Sequence, residues 1–370
     1  MPFDAIDHAH MALALRLAER GAYTTTPNPR VGCVIARGDE ILGRGWHQRA
    51  GGPHAEVFAL REAGESARGA CAYVTLEPCS HHGRTPPCAD ALIAAGVARV
   101  VIAAEDPFPQ VAGRGIGKLR AAGIEVETGL QREAARELNR GFLSRIERGR
   151  PWLRLKLAQS LDGRTALHDG QSQWITGAAA REDVQRWRAR SSALLTAAGT
   201  ARADNPRLTV RLPPATDFQP PLRVVLDARL DALAPGCHLL DGSVPTLVVH
   251  GDGMIVPSAY AAVECLPLPL DQGRLPLPSL LRALAARGIN EIQVEAGPAL
   301  AGSLYAAGLV DELLLYVAPL LLGDAGLPLL RLPLLSDMAG RWPLRLVEQR
   351  PVGEDWRLLL RPLPAARLAP

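Results

Sequence analysis

The first 148 residues change their apolar period several times along the chain. Apolar positions at helical spacing over 4–20, followed by Gly21, predict a first helix. The short apolar runs VGCVIA and EILGRGW, separated by a Gly-Asp turn, predict a β-hairpin. Helical and strand segments then alternate, in the order HAEVFALREAG, AYVTL, CADALIAAG, RVVIAA, GIGKLRAAG, IEVETG and QREAARELNRGFLSRIERG. This alternation predicts a sheet with helices on both faces, that is, a three-layer α/β/α domain.

The rhythm changes at Gly149-Arg150-Pro151, where RPWLRLKLA begins a new strand. We therefore expect a domain boundary here, with domains over residues 1–148 and 149–370. Strands of the second domain are predicted at LRLKLA, ALLTAA, LRVVLD, TLVVH, EIQVEA and ELLLYVAP, with helices after several of them. The segment LRLVEQRPVGEDWRLLLRP predicts a closing antiparallel pair, whereas the Pro- and Leu-rich stretch 210–280 shows no clear period.

Composition and charge narrow the class of protein. Hydrophobic residues make up 48% and charged residues 21% of the 370 positions, which is typical of a globular protein. The net charge is only +3, and basic residues alternate with acidic ones, so a nucleic-acid partner is not expected. The start MPFDAIDHAHMALALRLAERG mixes acidic and apolar residues, unlike a signal peptide. Because the Leu-rich runs near Leu313 and Leu320 are short and interrupted, we expect no membrane partner and a cytoplasmic location.

Four residues of the first domain carry the strongest chemical signal. His54 and Glu56 stand at the start of the second predicted helix, and Cys79 and Cys88 follow after one strand. One imidazole and two thiolates form a three-ligand set for Zn²⁺, which leaves the fourth position to a reactive water. Glu56 is close enough along the chain to take a proton from that water and pass it to a leaving group. His-x-Glu followed by Pro-Cys and a second Cys is the signature of zinc-dependent base deaminases.

The spacing of the two cysteines is unusual for such a site. Eight residues separate Cys79 from Cys88, whereas the deaminases of nucleotides and nucleic acids use CxxC. A disulfide between them is not expected, because six scattered cysteines are too few for a disulfide framework in a chain of this length. If both cysteines lie near the start of the third helix, its dipole favours their thiolate forms.

Two segments of the second domain carry weaker signals. EIQVEAGPALAGSL runs from a strand into a helix through Glu295-Ala296-Gly297, where a glycine allows the backbone to approach a phosphate. The alternative is that this glycine only satisfies the geometry of the turn. LLTAAGTARADNPRLTVR places Thr200, Asp204 and Arg211 in an apolar strand and its following loop, although Asp204-Asn205-Pro206 is by itself typical of a turn.

The motifs together resemble one family, the bifunctional deaminase and reductase of riboflavin biosynthesis. They span nearly the whole chain, and they are TPNPRVGCVI, GWHQRAGGPHAE, TLEPCSHHGRTPPC, SLDGRTA, SQWITG and VEAGPALAGSL. The resemblance implies a cytidine-deaminase-like domain followed by a dihydrofolate-reductase-like α/β domain. It also implies zinc-dependent deamination of 2,5-diamino-6-ribosylamino-4(3H)-pyrimidinone 5′-phosphate, followed by NADPH-dependent reduction of the ribosyl group to ribityl.

In the first domain, the resemblance assigns roles by position. His54, Cys79 and Cys88 match the zinc ligands, Glu56 matches the proton shuttle, and Asn28 matches the position that contacts the pyrimidine. A phosphate dianion needs cationic or hydrogen-bond-donating partners. Candidates for this contact to the ribose phosphate are His47, His81, His82 and Arg84, although the two adjacent histidines could equally face solvent in a loop.

In the second domain, the resemblance implies two sets of contacts. The residues that match cofactor contacts are Ala158, Trp174, Thr200, Asp204, Gly297, Pro298, Ala299, Leu300, Ala301, Gly302 and Ser303. The residues that match substrate contacts are Ser172, Leu208, Arg211 and Glu295. Lys156, on the first strand of this domain, and Asp204 are the candidate catalytic groups; the alternative for Lys156 is an exposed strand lysine. Hydride transfer itself needs little beyond orientation and electrostatics from the protein.

Other classes of function fit the sequence less well. A nucleic-acid deaminase acting on tRNA or single-stranded DNA needs a basic, aromatic-rich groove, but only 4% of the residues are aromatic. A zinc-stabilised scaffold without turnover would be expected to use four protein ligands. The apolar segment LVDELLLYVAPLLLG suits either a dimer interface or a buried strand, and the family resemblance favours a homodimer or a larger homo-oligomer.

Overall fold

The computed structural model describes residues 3–80 and 87–363 of the chain. The chain divides into two compact units, Met1–Gly149 and Arg150–Pro370. Four single 3₁₀ turns occur in the described residues, at Gly64–Ala67, His238–Leu240, Ser258–Tyr260 and Met338–Gly340.

The first unit is a three-layer α/β/α domain, as its alternating pattern predicts. Its helices are α1 (Ala5–Glu19), α2 (Ala55–Ala63), α3 (Cys88–Ala95), α4 (Arg114–Ala121), α5 (Arg132–Leu138) and α6 (Arg140–Arg148). Its strands are β1 (Gly32–Arg37), β2 (Glu40–Trp46), β3 (Cys71–Val74), β4 (Arg99–Ile102) and β5 (Glu125–Thr128). The sheet has the order β2-β1-β3-β4-β5, with β1 antiparallel to both neighbours and β3, β4 and β5 parallel.

Two apolar clusters fix the layers of this unit. On one face of the sheet, α2, α3 and α4 bury residues such as Ala59, Leu92 and Leu119. On the other face, α1 and α5 bury residues such as Met11 and Ala135. Because β3 and β4 are covered on both faces, the loops at their carboxyl ends are held between packed layers.

The sequence predicted one helix over QREAARELNRGFLSRIERG, and this was wrong. The segment forms two helices, α5 and α6, because Asn139 leaves the helical conformation with φ −104° and ψ 17°. The Asn139 carboxamide oxygen accepts a hydrogen bond from the Arg30 N–H at 2.8 Å, and its nitrogen donates to the Arg30 carbonyl at 2.9 Å. An asparagine side chain competes well for backbone groups and so favours the end of a helix. This contact also anchors the backbone two residues after Asn28.

The second unit is built on one long sheet with an additional two-stranded ribbon. Its strands are β6 (Trp152–Ser160), β7 (Arg164–Ala166), β8 (Ala193–Ala197), β9 (Leu222–Leu226), β10 (Thr246–Gly251), β11 (Glu264–Leu268), β12 (Glu291–Val294), β13 (Glu312–Ala318), β14 (Leu327–Pro328), β15 (Leu344–Val352) and β16 (Asp355–Pro362). Its helices are α7 (Ala178–Arg190), α8 (Ala198–Asp204), α9 (Leu277–Ala286) and α10 (Pro298–Ala306).

The nine-stranded sheet has the order β11-β10-β9-β8-β12-β6-β13-β16-β15. Its strands are parallel from β11 to β13, and β16 and β15 then close it as an antiparallel pair. Strands β7 and β14 form the separate ribbon. In parallel sheets, ligand sites form beyond the carboxyl ends of the strands. The candidate reductase residues at the ends of β6, β8 and β12 therefore lie on the same side of the sheet, where the carboxyl ends of its parallel strands meet.

Both faces of the long sheet are apolar, and one of them also carries a buried ion-pair cluster. One face carries a large apolar core in which α9 and α10 bury side chains such as Leu284 and Leu304. On the other face, α7 packs against β13, and a fully buried Arg154 bonds to Glu291 at 3.0 Å and to Glu312 at 2.7 Å. The Arg154 guanidinium also stacks over the Trp187 ring, 4.5 Å from its centroid. These contacts join β6, β12 and β13 near the amino-terminal ends of the three strands.

Three sequence predictions for this unit need correction or completion. Thr200 and Asp204 lie on a helix, α8, rather than on a strand and loop, because the alanine-rich turn after β8 favours helix. The segment that suited either an interface or a buried strand is β13, a buried strand between β6 and β16. Strand β11 lies in the Pro- and Leu-rich stretch, where no clear period could be assigned.

Candidate functional sites

The structure brings the imidazole and the two thiols of the predicted zinc set together. His54 Nδ1 lies 3.2 Å from Cys88 Sγ and 3.6 Å from Cys79 Sγ. The potential ligand atoms of all three residues lie within 4.8 Å of one another. None of the six cysteines, all of which are in the described part of the chain, forms a disulfide. The donor set is therefore the open three-ligand set that suits a catalytic zinc ion.

Local structure explains how each ligand is placed. His54 is the N-cap residue of α2, Cys88 is the first residue of α3, and Cys79 follows the carboxyl end of β3. The Cys88 N–H donates a hydrogen bond to Cys79 Sγ at 3.3 Å. At Gly45 of β2, an added Cβ would lie 2.2 Å from the Ala55 carbonyl oxygen. Only glycine lets α2 approach β2 this closely, and the start of α2 carries His54.

Hydrogen bonding makes this pair of cysteines a good metal-binding site. A hydrogen bond from the Cys88 thiol lowers the pKa of Cys79, and the bonds from His54 and the Cys88 N–H act in the same direction. The same pairing raises the pKa of Cys88. One thiolate is therefore favoured by the protein itself, and thiolates are the form that binds Zn²⁺.

Glu56 lies on the first turn of α2 beside these ligands. Its side chain is only 2% exposed, and burial raises the pKa of its carboxyl group. Its Oε2 atom has no hydrogen-bond partner among the described residues. A buried, unsatisfied carboxylate oxygen is costly unless a ligand uses it. A zinc-bound water supplies such a partner, so these residues fit a catalytic zinc ion.

Asn28 and His47 form a pair in the same unit. The His47 Nδ1–H donates to the Pro53 carbonyl at 3.0 Å, so Nε2 accepts from the Asn28 side-chain nitrogen at 3.1 Å. Burial lowers the pKa of His47, which is 2% exposed, and this favours its neutral form. Two roles can be compared for His47, namely orienting Asn28 and contacting the ribose phosphate as predicted. The geometry favours the first. His81, His82 and Arg84, the other candidates for that contact, lie outside the described residues.

In the second unit, Glu295 is the centre of a polar cluster. Arg188 on α7 holds it with two hydrogen bonds of 2.7 Å, and Gln293 donates a third at 2.8 Å. Burial raises the pKa of Glu295, but the charge of Arg188, its hydrogen bonds and the charge of Lys156 lower it to about 2. Burial and the Arg188 charge lower the pKa of Lys156, which Glu295 partly offsets. Lys156 is half-buried, so the alternative of an exposed strand lysine was wrong.

The candidate substrate loop lies against the same helix. Arg188 donates to the Thr209 carbonyl at 2.8 Å, and the Arg211 N–H donates to the Gln185 side chain at 3.0 Å. Leu208 adopts φ +45°, and its side chain is buried in a small apolar cluster. Only the backbone of Leu208 is therefore available to a substrate, whereas the Arg211 side chain is exposed.

The candidate cofactor residues lie on neighbouring elements. Gly297 is the N-cap of α10, and its N–H donates to the Thr200 hydroxyl of α8 at 3.2 Å. This bond joins α10 to the helix that ends in the exposed Asp204. The segment 297–303, expected to be a turn, is the N-cap and first part of α10, and it carries Pro298, Ala299, Leu300, Ala301, Gly302 and Ser303. Ala158 is half-buried on β6.

Ser172 and Trp174 lie in the segment between β7 and α7. Ser172 is half-buried, and the exposed Trp174 ring lies under the Arg181 guanidinium, 4.6 Å from its centroid.

Sequence reasoning missed Arg188, Gln185 and Gln293. Arg188 is one of four arginines on α7, and no spacing pattern separates it from the others. Gln185 lies on the same helix, and Gln293 is a buried polar residue within the apolar strand β12. A glutamine within an apolar strand is the signal that could have marked Gln293 before the structure was known.

Two family models match this chain. The model described as the RibD C-terminal domain matches residues 151–358. The model described as the cytidine and deoxycytidylate deaminase zinc-binding region matches residues 4–104. The first match covers the sheet that carries Glu295, and the second covers His54, Glu56, Cys79 and Cys88.

Whole-chain relatives show the same combination. The riboflavin biosynthesis protein RibD of Escherichia coli (strain K12) is 51% identical over 361 residues, which cover 94% of this chain and 97% of that protein. The solved structure of Acinetobacter baumannii RibD, form 1, is 44% identical with a TM-score of 0.90, covering 97% of this chain and 99% of that one. A diaminohydroxyphosphoribosylaminopyrimidine deaminase/5-amino-6-(5-phosphoribosylamino)uracil reductase from Thermotoga maritima is 32% identical with a TM-score of 0.84, with the same two coverages of 97% and 99%.

A zinc-binding deaminase region followed by a RibD C-terminal domain defines a bifunctional deaminase and reductase. This chain belongs to the RibD family of riboflavin biosynthesis proteins. Family membership confirms the predicted fold class, the two enzyme classes, hydrolase and oxidoreductase, and the two cofactors, Zn²⁺ and NADPH. In the described part of the chain, every helix is too short or too polar to cross a bilayer.

Proposed function

We propose that this chain catalyses two successive steps. Residues 1–148 deaminate 2,5-diamino-6-ribosylamino-4(3H)-pyrimidinone 5′-phosphate, and residues 149–370 reduce 5-amino-6-(5-phosphoribosylamino)uracil with NADPH. The observation that carries the first step is the convergence of His54, Cys79 and Cys88 beside the unsatisfied carboxylate of Glu56. The Thermotoga maritima relative, whose name states both activities, supports these substrates.

In the deaminase site, the protein holds a proton and orients a ring. His54, Cys79 and Cys88 would hold a zinc ion, which would supply an acidified water as the nucleophile. Glu56 would accept a proton from that water and return it to the departing amino group, and its raised pKa suits a group that must hold a proton between these steps. The Asn28 amide, oriented by His47, contacts the pyrimidine.

In the reductase site, the protein contributes mainly by orienting the reactants and by the charges of its side chains. NADPH would supply the hydride, and residues Gly297 to Ser303 at the start of α10 would bind its phosphate, together with Thr200 and Asp204 of α8. Glu295 stays ionised between Arg188 and Lys156 and accepts hydrogen bonds from the ribose. Lys156 contacts the sugar and supplies a proton as the ring opens, while Arg211 binds the substrate phosphate. Ser172 and the Leu208 backbone complete the substrate contacts, and Ala158 and Trp174 those of the cofactor.

The zinc assignment makes a direct prediction for metal content. Purified protein should contain about one zinc per chain, measured by elemental analysis, because the described residues supply one three-ligand set. Cys79→Ser should lower the zinc content at least tenfold, since a thiolate ligand is lost. Cys265→Ser, at a half-buried cysteine of the other unit, is the matched control and should keep its zinc. Full zinc content in Cys79→Ser would contradict the assignment.

We also propose that the partners are small molecules only, in the cytoplasm, without nucleic acid. A groove that binds a nucleic-acid strand is basic and rich in aromatic side chains. The net charge of only +3 and the aromatic content of only 4% therefore support this proposal. A filter-binding measurement with tRNA and with single-stranded DNA tests the proposal. Retention of either at physiological salt would contradict it.

A homodimer is the oligomeric state that we propose. Strand β15 forms one edge of the long sheet in the described structure and exposes Leu344, Leu346 and Val347, with Trp356 exposed on β16. An exposed apolar edge strand is a ready surface for another chain. Leu346→Glu should shift the sedimentation coefficient from dimer to monomer, whereas Leu321→Glu, at an exposed leucine outside this surface, should not. A wild-type monomer at all concentrations would contradict the proposal.

A further inference from the structure

Glu77 immediately precedes Pro78 and the zinc-ligand candidate Cys79, yet its carboxylate is buried and bonded to a distant segment. It accepts hydrogen bonds from four backbone N–H groups in the loop before α4 and in its first turn. These donors are Asp106 at 3.4 Å, Gly113 at 3.0 Å, Gly115 at 3.0 Å and Ile116 at 3.2 Å. A carboxylate that accepts several N–H groups at a helix start is strongly held there.

A second contact joins the same two segments without using Glu77 as its partner. At Gly115, an added Cβ would lie 2.0 Å from the Pro78 carbonyl oxygen, a distance that no side chain can occupy. The backbone of α4 therefore lies directly against the peptide that leads into Cys79. The Glu77 carboxylate and the absence of a side chain at Gly115 therefore both allow α4 to lie close to the segment that leads into Cys79.

Cys79 is also held from its other side. Its carbonyl oxygen accepts a hydrogen bond from the Ala89 N–H of α3 at 3.1 Å, and its sulfur accepts one from the Cys88 N–H. With Glu77 and Gly115 on the side of α4, the residue has little freedom to move away from His54. Residues that fix a metal ligand without binding the metal commonly change its affinity by about 10–100-fold.

We infer that Glu77 and Gly115 are positioning residues that hold Cys79 at its zinc-binding position. The inference rests on the proposed zinc site. The affinity for zinc then depends on the contact between Glu77 and the start of α4, which lies 36 to 39 residues after Glu77 in the chain.

Two substitutions in the full-length protein test this inference, with zinc affinity measured by competition with a chromogenic chelator. Glu77→Gln replaces one oxygen by an N–H₂ group that faces N–H donors and cannot accept their hydrogen bonds. Gly115→Ala places a methyl group against the Pro78 carbonyl. Each should weaken zinc binding about 10–100-fold, and excess zinc should restore ammonia release, because all three ligands and Glu56 remain.

Matched controls separate this effect from general damage. Gly117→Ala lies on the same helix, where an added Cβ meets no atom within 4 Å, and Glu105→Gln changes an exposed carboxylate close to the same loop. Both controls should bind zinc as the wild type does, and reductase activity should be unchanged in all four variants.

The outcomes distinguish this inference from the proposed function. If the wild-type protein binds no zinc, the proposed zinc site itself is wrong. If the wild type binds zinc and both test variants bind it equally tightly, the inference is wrong and the site stands. Failure of excess zinc to restore ammonia release in both variants would show a loss of fold rather than of ligand position, and would also overturn the inference.

Discussion

Glu56→Gln is expected to reduce ammonia release by about 10²–10⁴-fold while the zinc content stays unchanged, because proton transfer is lost but no ligand is removed. The carboxamide has nearly the same shape as the buried carboxylic acid, so little change in stability is expected. Deamination is measured by ammonia release, and zinc by elemental analysis of the same sample. NADPH oxidation, assayed with the deaminated substrate, should remain at the wild-type rate.

Glu62→Gln is the matched control for this result. Glu62 lies on the same helix, but its carboxylate is half exposed and pairs with Arg44 at 3.5 Å. Such a surface pair contributes little to stability. Deamination by Glu62→Gln should match the wild type. Retained deamination by Glu56→Gln would remove Glu56 from the mechanism even if the zinc site is correct.

Lys156→Met should lower NADPH oxidation by about 10²–10³-fold, the usual loss when a charge-stabilising donor is removed from an active site. The ammonium group of Lys156 interacts with Glu295, and its lowered pKa makes it a better proton donor near neutral pH. Methionine keeps the length and the apolar stem of lysine but removes its charge. The measurement is the steady-state rate of NADPH oxidation with the deaminated substrate.

Lys118→Met is the control for this substitution. Lys118 lies on α4, where its half-exposed ammonium group pairs with Asp90. Neither reaction should change in this variant beyond a small effect on stability. If Lys156→Met oxidises NADPH normally, Lys156 has no catalytic role, and if it loses deamination as well, the assignment of separate sites is wrong.

The clustering of the proposed zinc ligands could be predicted because their signal is local. His54 and Glu56 are two residues apart on one helix start, and Cys79 and Cys88 bracket one short segment. Residue types of this kind in this order have few other uses. The sequence could not show what holds them, because Glu77 bonds to Gly113 and Gly115 across one helix, α3, and one strand, β4.

The reductase site was predicted less completely, because its contacts join distant segments. Glu295 was predicted as a substrate contact from the family resemblance, but its partner Arg188 comes from a helix 107 residues earlier in the chain. The break between α5 and α6 has the same origin, since Asn139 bonds to Arg30 across 109 residues. Helical periodicity carries no information about such a tertiary contact.

Product analysis tests most directly whether one chain carries both reactions in sequence. Purified protein is incubated with the diaminopyrimidine ribose phosphate, with and without NADPH, and the products are identified by mass. Without NADPH, the expected product has one amino group replaced by oxygen and retains its ribosyl group. With NADPH, it should additionally gain two hydrogens. An unchanged substrate in both samples, or a deaminated product that NADPH leaves unreduced, would contradict the account.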